Sequence, residues 1–210
     1  AFTEAKDAAE FISAVKSALA GQRSALTERL AQAASIESLL LQHLQFVDRI
    51  VVAAWRLCVA DQAGVALAAT GGYGRGELYP HSDIDILVCA DEHVQAGIEE
   101  DVGRFFSLLW DSGLKLGQAV RSVAQCVEAG QQDVSTFTAL LETRCLAGDE
   151  AVYQALKQAM QSPDIYSAVD YFNAKRLEQK QRHAKFHNTA DNLEPNLKEG
   201  PGGLRDFHTL

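Results

Sequence analysis

Two aspartates that stand two positions apart, Asp83 and Asp85, are the residues of this sequence whose type and spacing best suit chemistry. They open the segment Asp83 to Ala90, whose apolar composition and length predict a β-strand. Because side chains two apart in a strand point to the same face, both carboxylates are expected to converge. Charged groups in an apolar strand need a partner, and a hard divalent cation such as Mg²⁺ prefers oxygen ligands.

A glycine-rich turn, Thr70 to Gly76, precedes the two aspartates and follows a short apolar run, Val65 to Ala69. Backbone N–H groups around Gly71 and Gly72 would cradle the phosphates of a nucleotide, as oriented amides do. A plain turn beside scaffolding acids is the alternative. The turn matches neither the P-loop nor the G-x-G-x-x-G spacing, which weakens a dinucleotide interpretation. Carboxylates that suit a metal, next to amides that suit phosphate, indicate nucleotide chemistry.

Two side chains near the aspartates have two interpretations each. Arg75 either steers phosphate or braces the turn through Glu77. Ser82 either contacts phosphate or metal, or bonds the local backbone. Spacing alone does not decide between these roles.

The composition bounds the class of protein. The chain has 210 residues, 47% of them hydrophobic and 22% charged, as in an ordinary soluble protein of one large or two small domains. No apolar run reaches membrane-spanning length and no N-terminal signal is visible, so a cytoplasmic protein without a membrane partner is expected. The 4 cysteines lack short paired spacing, which argues against zinc or disulfides. The net charge of −9 argues against broad binding to nucleic acid.

The elements that must position the aspartates follow from periodicity. The chain divides into a helical segment (1–62), a core (63–147) and a second helical segment (148–210). We expect two helices before the core, broken near Ala33 to Ser38, and then a helix over Glu92 to Trp110. Gly113 to Arg121 predicts a third strand. From Val123 to His187 the pattern predicts helices only, the last from Ile165 to about His187.

Two separated segments carry a resemblance to a known family. TGGYGRGELYPHSDIDILV (70–88) and NLEPNLKEGPGGLRD (192–206) resemble the bacterial PII-protein uridylyltransferases, members of the polymerase β-type nucleotidyltransferase superfamily. The resemblance covers the chain from about Val65 onwards, and less clearly the N-terminal helices. It implies an α+β fold, in which a polymerase β-type core of a small mixed sheet with helices is flanked by N- and C-terminal helical segments.

The resemblance also implies an activity. It implies Mg²⁺-dependent transfer of UMP from UTP to a tyrosine of the PII signalling protein, with release of pyrophosphate and with Asp83 and Asp85 as catalytic metal ligands. Superfamily members usually place a third carboxylate on the third strand, where this sequence has no acid. Asp133 and Glu142 are the remaining candidates for a third ligand.

Three further cations become phosphate candidates through the resemblance. Arg182 lies in a basic run at the end of the last predicted helix, a run that equally suits a solvated face. Lys198 and Arg205 lie in the second family-like segment, although Arg205 and Asp206 could simply pair with one another or cap a helix.

Two rival functions remain open from the sequence. A glutamine synthetase adenylyltransferase-like enzyme would share the S-D-I-D strand, but the EGPGGLRD stretch counts against it. A non-catalytic nucleotide-binding regulatory module fits the missing third acid. The whole family enzymes also carry an HD hydrolase domain and ACT domains. This chain has no His-Asp dipeptide and stops in what resembles the first turn of a helix, so we expect a fragment without uridylyl removal or glutamine control.

Overall fold

The computed structural model describes residues 2–59, 62–191 and 193–208. After a short 3₁₀ turn (Phe2–Glu4), the elements in chain order are α1 (Ala8–Ala31), α2 (Ile36–Cys58), β1 (Val65–Ala69), α3 (Gly71–Gly74), β2 (Ile84–Ala90), α4 (Glu92–Asp111), β3 (Leu116–Arg121), α5 (Val123–Gln132), α6 (Val134–Leu141), β4 (Arg144–Gly148), α7 (Glu150–Met160), α8 (Ala168–Ala184) and α9 (Leu204–Phe207).

The two N-terminal helices confirm the prediction from periodicity. The break between them falls at Ala33, which has a φ of 59°, and at Ser35, whose hydroxyl caps α2 by accepting the N–H of Ser38 at 3.2 Å. The inner face of α2 is buried, and Trp55 near its C-terminal end is completely inaccessible. Among the described residues, no helix is both long and apolar enough to cross a lipid bilayer.

A four-stranded mixed sheet forms the centre of the fold, in the order β3-β2-β1-β4. Strand β1 is antiparallel to both β2 and β4, whereas β2 and β3 are parallel. This sheet with surrounding helices confirms the expected α+β architecture. The register places Asp85 of β2 beside Gly117 of β3. Strand β2 begins at Ile84, so Asp83 immediately precedes the strand instead of opening it.

Strand β4 corrects the prediction that residues 123–187 contain helices only. Arg144 to Gly148 pairs with β1 as an edge strand, and its five residues are all half-buried. An element this short shows no usable alternation, and its pairing with β1 decides its conformation. The last long helix is also shorter than predicted, because the Ser167 hydroxyl caps it by accepting the N–H of Asp170.

The sheet separates two apolar clusters. One face packs against α1, α2 and α4, and the other packs against α5, α6 and α7. Side chains of β2 alternate between the faces: Ile84 and Ile86 point to the first, and Leu87 points to the second. Asp85 therefore lies on the second face, where α6 and β3 border a cleft.

A buried polar network fixes the glycine turn to the rest of the fold. The Tyr73 hydroxyl of α3 donates to the Asp48 carboxylate of α2 at 2.7 Å. Arg144 of β4 donates to both oxygens of that carboxylate, at 2.9 and 3.0 Å, and its guanidinium lies over the Tyr73 ring. Burial, with the negative charge of Asp48 beside it, raises the pKa of Tyr73. The network joins α2, α3 and β4 around one carboxylate.

Replacement of Tyr73 by phenylalanine tests this network. Tyr73 is only 1% exposed, so Tyr73→Phe removes a buried bond to a charged group and is expected to lower the free energy of unfolding by about 2 kcal/mol. Tyr79→Phe is the matched control: Tyr79 is 48% exposed, and its substitution should change stability by less than about 0.5 kcal/mol. Urea unfolding measures both. Equal effects of the two substitutions would contradict the network's role.

Candidate functional site

The Asp85 carboxylate lies at a point where two backbone segments come close together. A Cβ built on Gly117 would lie 2.1 Å from Asp85 Oδ1, so only glycine at this position of β3 leaves room for the carboxylate. A Cβ built on Gly71, at the start of α3, would lie 3.6 Å from Asp85 Oδ2. The carboxylate is thus held between β3 and the first residue of α3.

The electrostatic environment of Asp85 disfavours its charge. Burial and then the negative charge of Asp83 raise the pKa of Asp85, while the nearby Lys198 lowers it. Within the described chain, no group donates a hydrogen bond to this carboxylate. The structure therefore brings the charges of Asp83 and Lys198 close to the half-buried Asp85, and leaves an acidic pair that a cation would relieve.

The glycine turn is a single helical turn, α3, whose start faces this acidic pair. Its first residue, Gly71, has a φ of 54°, and Thr70 precedes it without making a side-chain capping bond. The N–H groups of Gly71, Gly72 and Tyr73 have no partners inside the helix because they belong to its first turn. Gly74 permits a close contact on the other side, since a Cβ there would lie 1.8 Å from the Glu142 carbonyl oxygen.

A cleft of about 320 Å³ extends from Asp85 along β3. Its lining is polar near Thr70 and Asp85 and apolar at Leu87 and Leu140. Further polar side chains line it where β3 ends and α6 begins: Arg121, Asp133, Ser135 and Thr136. The volume suits a small-molecule ligand that has a charged end and a larger neutral part.

The other predicted contacts near the turn have different partners. Arg75 pairs with Glu77 at 3.0 Å and with Glu142, and its guanidinium also contacts His208. This is the bracing role that the sequence left open. Ser82 lines a separate cavity that does not include Asp85.

The C-terminal segment is attached to α8 through Arg182. This side chain is 5% exposed and donates to Asp206 at 2.8 Å, to the Glu199 carbonyl at 2.9 Å and to Glu178 at 3.1 Å. Although burial opposes it, hydrogen bonds from Gln179 and Arg182 hold the pKa of Asp206 well below its usual range. These contacts occupy the Arg182 guanidinium within the protein, and its contact with phosphate stays a prediction.

Lys198 and Arg205 lie on the segment that Arg182 holds. Arg205 pairs with Glu199 at 3.1 Å, instead of with its neighbour Asp206. Lys198 is exposed on this segment and is close enough to Asp85 to act on its pKa. Lys198 is therefore the predicted cation that the structure brings to the acidic pair.

Neither candidate for a third metal ligand is free of other contacts. Asp133 lines the cleft, but one of its oxygens accepts both the N–H and the hydroxyl of Thr136 at 2.7 Å. Glu142 is paired with Arg75. No cluster of three or more His, Cys, Asp or Glu side chains suited to a metal occurs among the described residues. Two carboxylates still fit Mg²⁺, which often takes one or two protein carboxylates and completes its shell with phosphate oxygens and water.

Comparison with known proteins places this geometry in a family. A model described as "Nucleotidyltransferase domain" matches residues 54–136, and one described as "GlnD PII-uridylyltransferase" matches residues 170–210. A bifunctional uridylyltransferase/uridylyl-removing enzyme of Stutzerimonas stutzeri is 46% identical over 200 residues, or 95% of the chain. The chain belongs to the family of the PII-uridylyltransferases. It spans 22% of the length of that relative.

Other bifunctional uridylyltransferase/uridylyl-removing enzymes match the chain at similar identity and coverage. The protein of Xanthomonas axonopodis pv. citri is 46% identical over 185 residues, which cover 88% of this chain and 21% of the relative. The protein of Pseudomonas aeruginosa is 42% identical over 200 residues, which cover 95% of this chain and 22% of the relative. The first matched model spans β1, β2 and β3, and the second spans most of α8 and the segment that carries Lys198.

Sequence reasoning missed two contributors to the site. Gly117 stands inside a predicted strand, and an isolated glycine in a strand signals a close backbone approach, so that signal was available. Asp48 and Arg144 carried no such signal, because they lie 96 positions apart and meet only when β4 pairs with β1.

The raised pKa of Asp85 predicts a pH-dependent cost in stability. A carboxyl whose pKa is higher in the folded state loses stability as the pH rises through that value, and this cost is absent below the ordinary Asp pKa of 3.8. Without divalent cations, Asp85→Asn is therefore expected to unfold at higher urea concentration than the wild type at pH 7. The difference should disappear as the pH falls towards about 4.

Asp111→Asn is the control for this measurement, because Asp111 is an exposed carboxylate at the end of α4. Its stability should stay within about 0.5 kcal/mol of wild type at both pH values. If Asp85→Asn were less stable than wild type at pH 7, the Asp85 carboxylate would have a stabilising partner and this account of the acidic pair would be wrong.

Proposed function

We propose that this chain carries the transferase site of an enzyme that moves UMP from UTP to a tyrosine of the PII signalling protein and releases pyrophosphate. The observation that carries the proposal is the half-buried Asp85, with Asp83 beside it, at the uncapped start of α3 and at one end of a cleft. The names of the relatives, bifunctional uridylyltransferase/uridylyl-removing enzymes, support uridylyl transfer. The cytoplasmic location stays a prediction.

Asp83 and Asp85 would hold the Mg²⁺ in this proposal. When bound, the cation supplies positive charge that neutralises the phosphates of the nucleotide. The N–H groups of Gly71 and Gly72 then bind terminal phosphate oxygens, since the first turn of a helix presents N–H groups without internal partners. Lys198 of the C-terminal segment, whose charge lowers the pKa of Asp85, would contact the same phosphates. The nucleoside occupies the rest of the cleft.

The transfer itself requires mainly positioning. The tyrosine hydroxyl gives up its proton to solvent, its oxygen attacks the α-phosphorus to form a P–O bond to tyrosine, and the bond from the α-phosphorus to the pyrophosphate oxygen breaks. Such in-line displacement needs aligned reactants and charge stabilisation more than a covalent nucleophile on the enzyme. A rigid strand start and a helical turn anchored by Tyr73 supply that alignment. The exposed position of Asp83 leaves this end of the cleft open to a protein acceptor.

One rival function retains an observation in its favour. A non-catalytic module that binds a nucleotide on the same fold would agree with the lack of a three-ligand metal cluster in the described part of the chain. An adenylyltransferase-like enzyme has less support, because the curated relatives are described as uridylyltransferases.

A transfer assay separates these functions. The longest native chain that contains these residues is incubated with Mg²⁺, PII protein and labelled UTP or ATP. We expect label from UTP to reach PII, and Asp83→Asn or Asp85→Asn to lower the rate at least about 100-fold, since loss of a metal ligand removes several kcal/mol of charge stabilisation. Asp111→Asn is the matched control and should retain the full rate.

The other outcomes of the transfer assay would indicate a different site or a different function. Unchanged transfer by both aspartate variants would refute the assigned site. Mg²⁺-dependent binding of UTP without transfer would favour the non-catalytic module. Transfer from ATP alone would favour the adenylyltransferase-like enzyme.

Lys198 has its own test in the same assay. Because its charge faces the acidic pair and the proposed phosphates, Lys198→Gln is expected to raise the KM for UTP about tenfold, the size of one charge-assisted hydrogen bond. Lys180→Gln, which removes an exposed lysine on α8, is the matched control and should leave the KM unchanged. Equal KM values for the two variants would remove Lys198 from the phosphate site.

A further inference from the structure

A second cavity, of about 90 Å³, lies on the face of the sheet opposite to the Asp85 cleft. It is enclosed by α1, α2, the segment before β2 and the segment before β3. None of the residues that line it also lines the Asp85 cleft. Its walls combine polar and apolar side chains, and Leu78, Ile84 and Leu114 are among the apolar ones. It is therefore a separate site with its own chemistry.

Two buried polar atoms of this cavity's lining residues have no partner. Gln22 Nε2 and His43 Nδ1 are both inaccessible to solvent and make no hydrogen bond within the described residues. His43 as a whole is only 8% exposed. Leaving such an atom unpaired costs about 1–3 kcal/mol, so this side of the cavity holds polar groups that the protein itself does not satisfy.

The charges around the cavity share one sign. Arg23 and Lys115 line it at exposed positions, and no acidic residue is among the described residues that line it. Neither Arg23 nor Lys115 forms an ion pair within the described part of the chain. Burial, and then the charge of Arg23, lower the pKa of His43, so its ring is neutral at pH 7. In a chain of net charge −9, this is a local site for negative charge.

The cavity is too large to be filled by a single water molecule. A cavity must offer about 10–15 Å³ to hold one water molecule. This cavity, of about 90 Å³, is several times larger. A small anion of a few heavy atoms fits the space. Its charged oxygens would meet the two cations.

We propose that this cavity, next to Gln22 and His43, binds a small oxyanion, a carboxylate or a phosphate group, through the cations Arg23 and Lys115. The site also includes Ser82, the residue immediately before Asp83. An anion held there would restrict the segment from Leu78 to Ser82, which leads directly into the acidic pair. Binding at this site does not depend on the function proposed above.

Calorimetric titration of the native chain, with inorganic phosphate, sulfate and acetate as probes and without divalent cations, tests this site. We expect at least one probe to bind. Arg23→Gln and Lys115→Gln should each weaken that binding about tenfold. Arg56→Gln, an exposed arginine of α2 that does not line the cavity, is the matched control and should bind as wild type. Comparison of the three probes distinguishes a preference for phosphate from one for carboxylate.

Hydrogen exchange localises the binding. The amides of residues 78–84 should exchange more slowly in the presence of the bound probe, and this protection should be lost in Arg23→Gln. Absence of binding by all three probes would overturn the proposal and leave a water-filled cavity. Binding that is lost in Lys198→Gln but kept in Arg23→Gln would place the anion in the Asp85 cleft and would overturn it equally.

Discussion

The half-buried Asp85 carboxylate imposes the constraint on which the rest of the site depends. It lies beside a second carboxylate, and no hydrogen-bond donor of the described chain reaches it, so its charge is balanced only by the more distant Lys198. A protein retains such an arrangement at a cost to folding, and the cost is recovered when a cation binds. A metal-binding role gives this unfavourable arrangement a physical reason.

The fold maintains that arrangement through backbone geometry. Gly117 leaves room for the carboxylate, and α3 begins directly beside it. The turn cannot move away, because Tyr73 is bonded to Asp48 and Arg144 holds the same carboxylate from β4. Helix α2, which carries no predicted site residue, therefore contributes directly to the position of the glycine turn. Helix α2 and strand β4 thus both help to hold the glycine turn in place.

Local patterns predicted much of this structure, and contacts distant in sequence account for the rest. Alternation revealed β2 and placed Asp83 and Asp85 together, and helical spacing revealed α1, α2 and α4. Strand β4 was missed because five half-buried residues carry no period of their own. The partners of Arg75 and Arg182 depend on which acids the fold brings near them, and charge alone did not reveal those acids. Lys198 could be suspected from resemblance, but only the three-dimensional structure brought it to Asp85.

The most direct test of the central claim is to locate the metal itself. Crystals of the chain grown with Mn²⁺ and a non-hydrolysable UTP analogue would reveal the cation by its anomalous scattering. The account predicts one or two peaks within coordination distance of both Asp83 and Asp85, with the triphosphate at the start of α3. A cation bound at Asp133 or Glu142 without contact to Asp85, or a triphosphate away from α3, would contradict it.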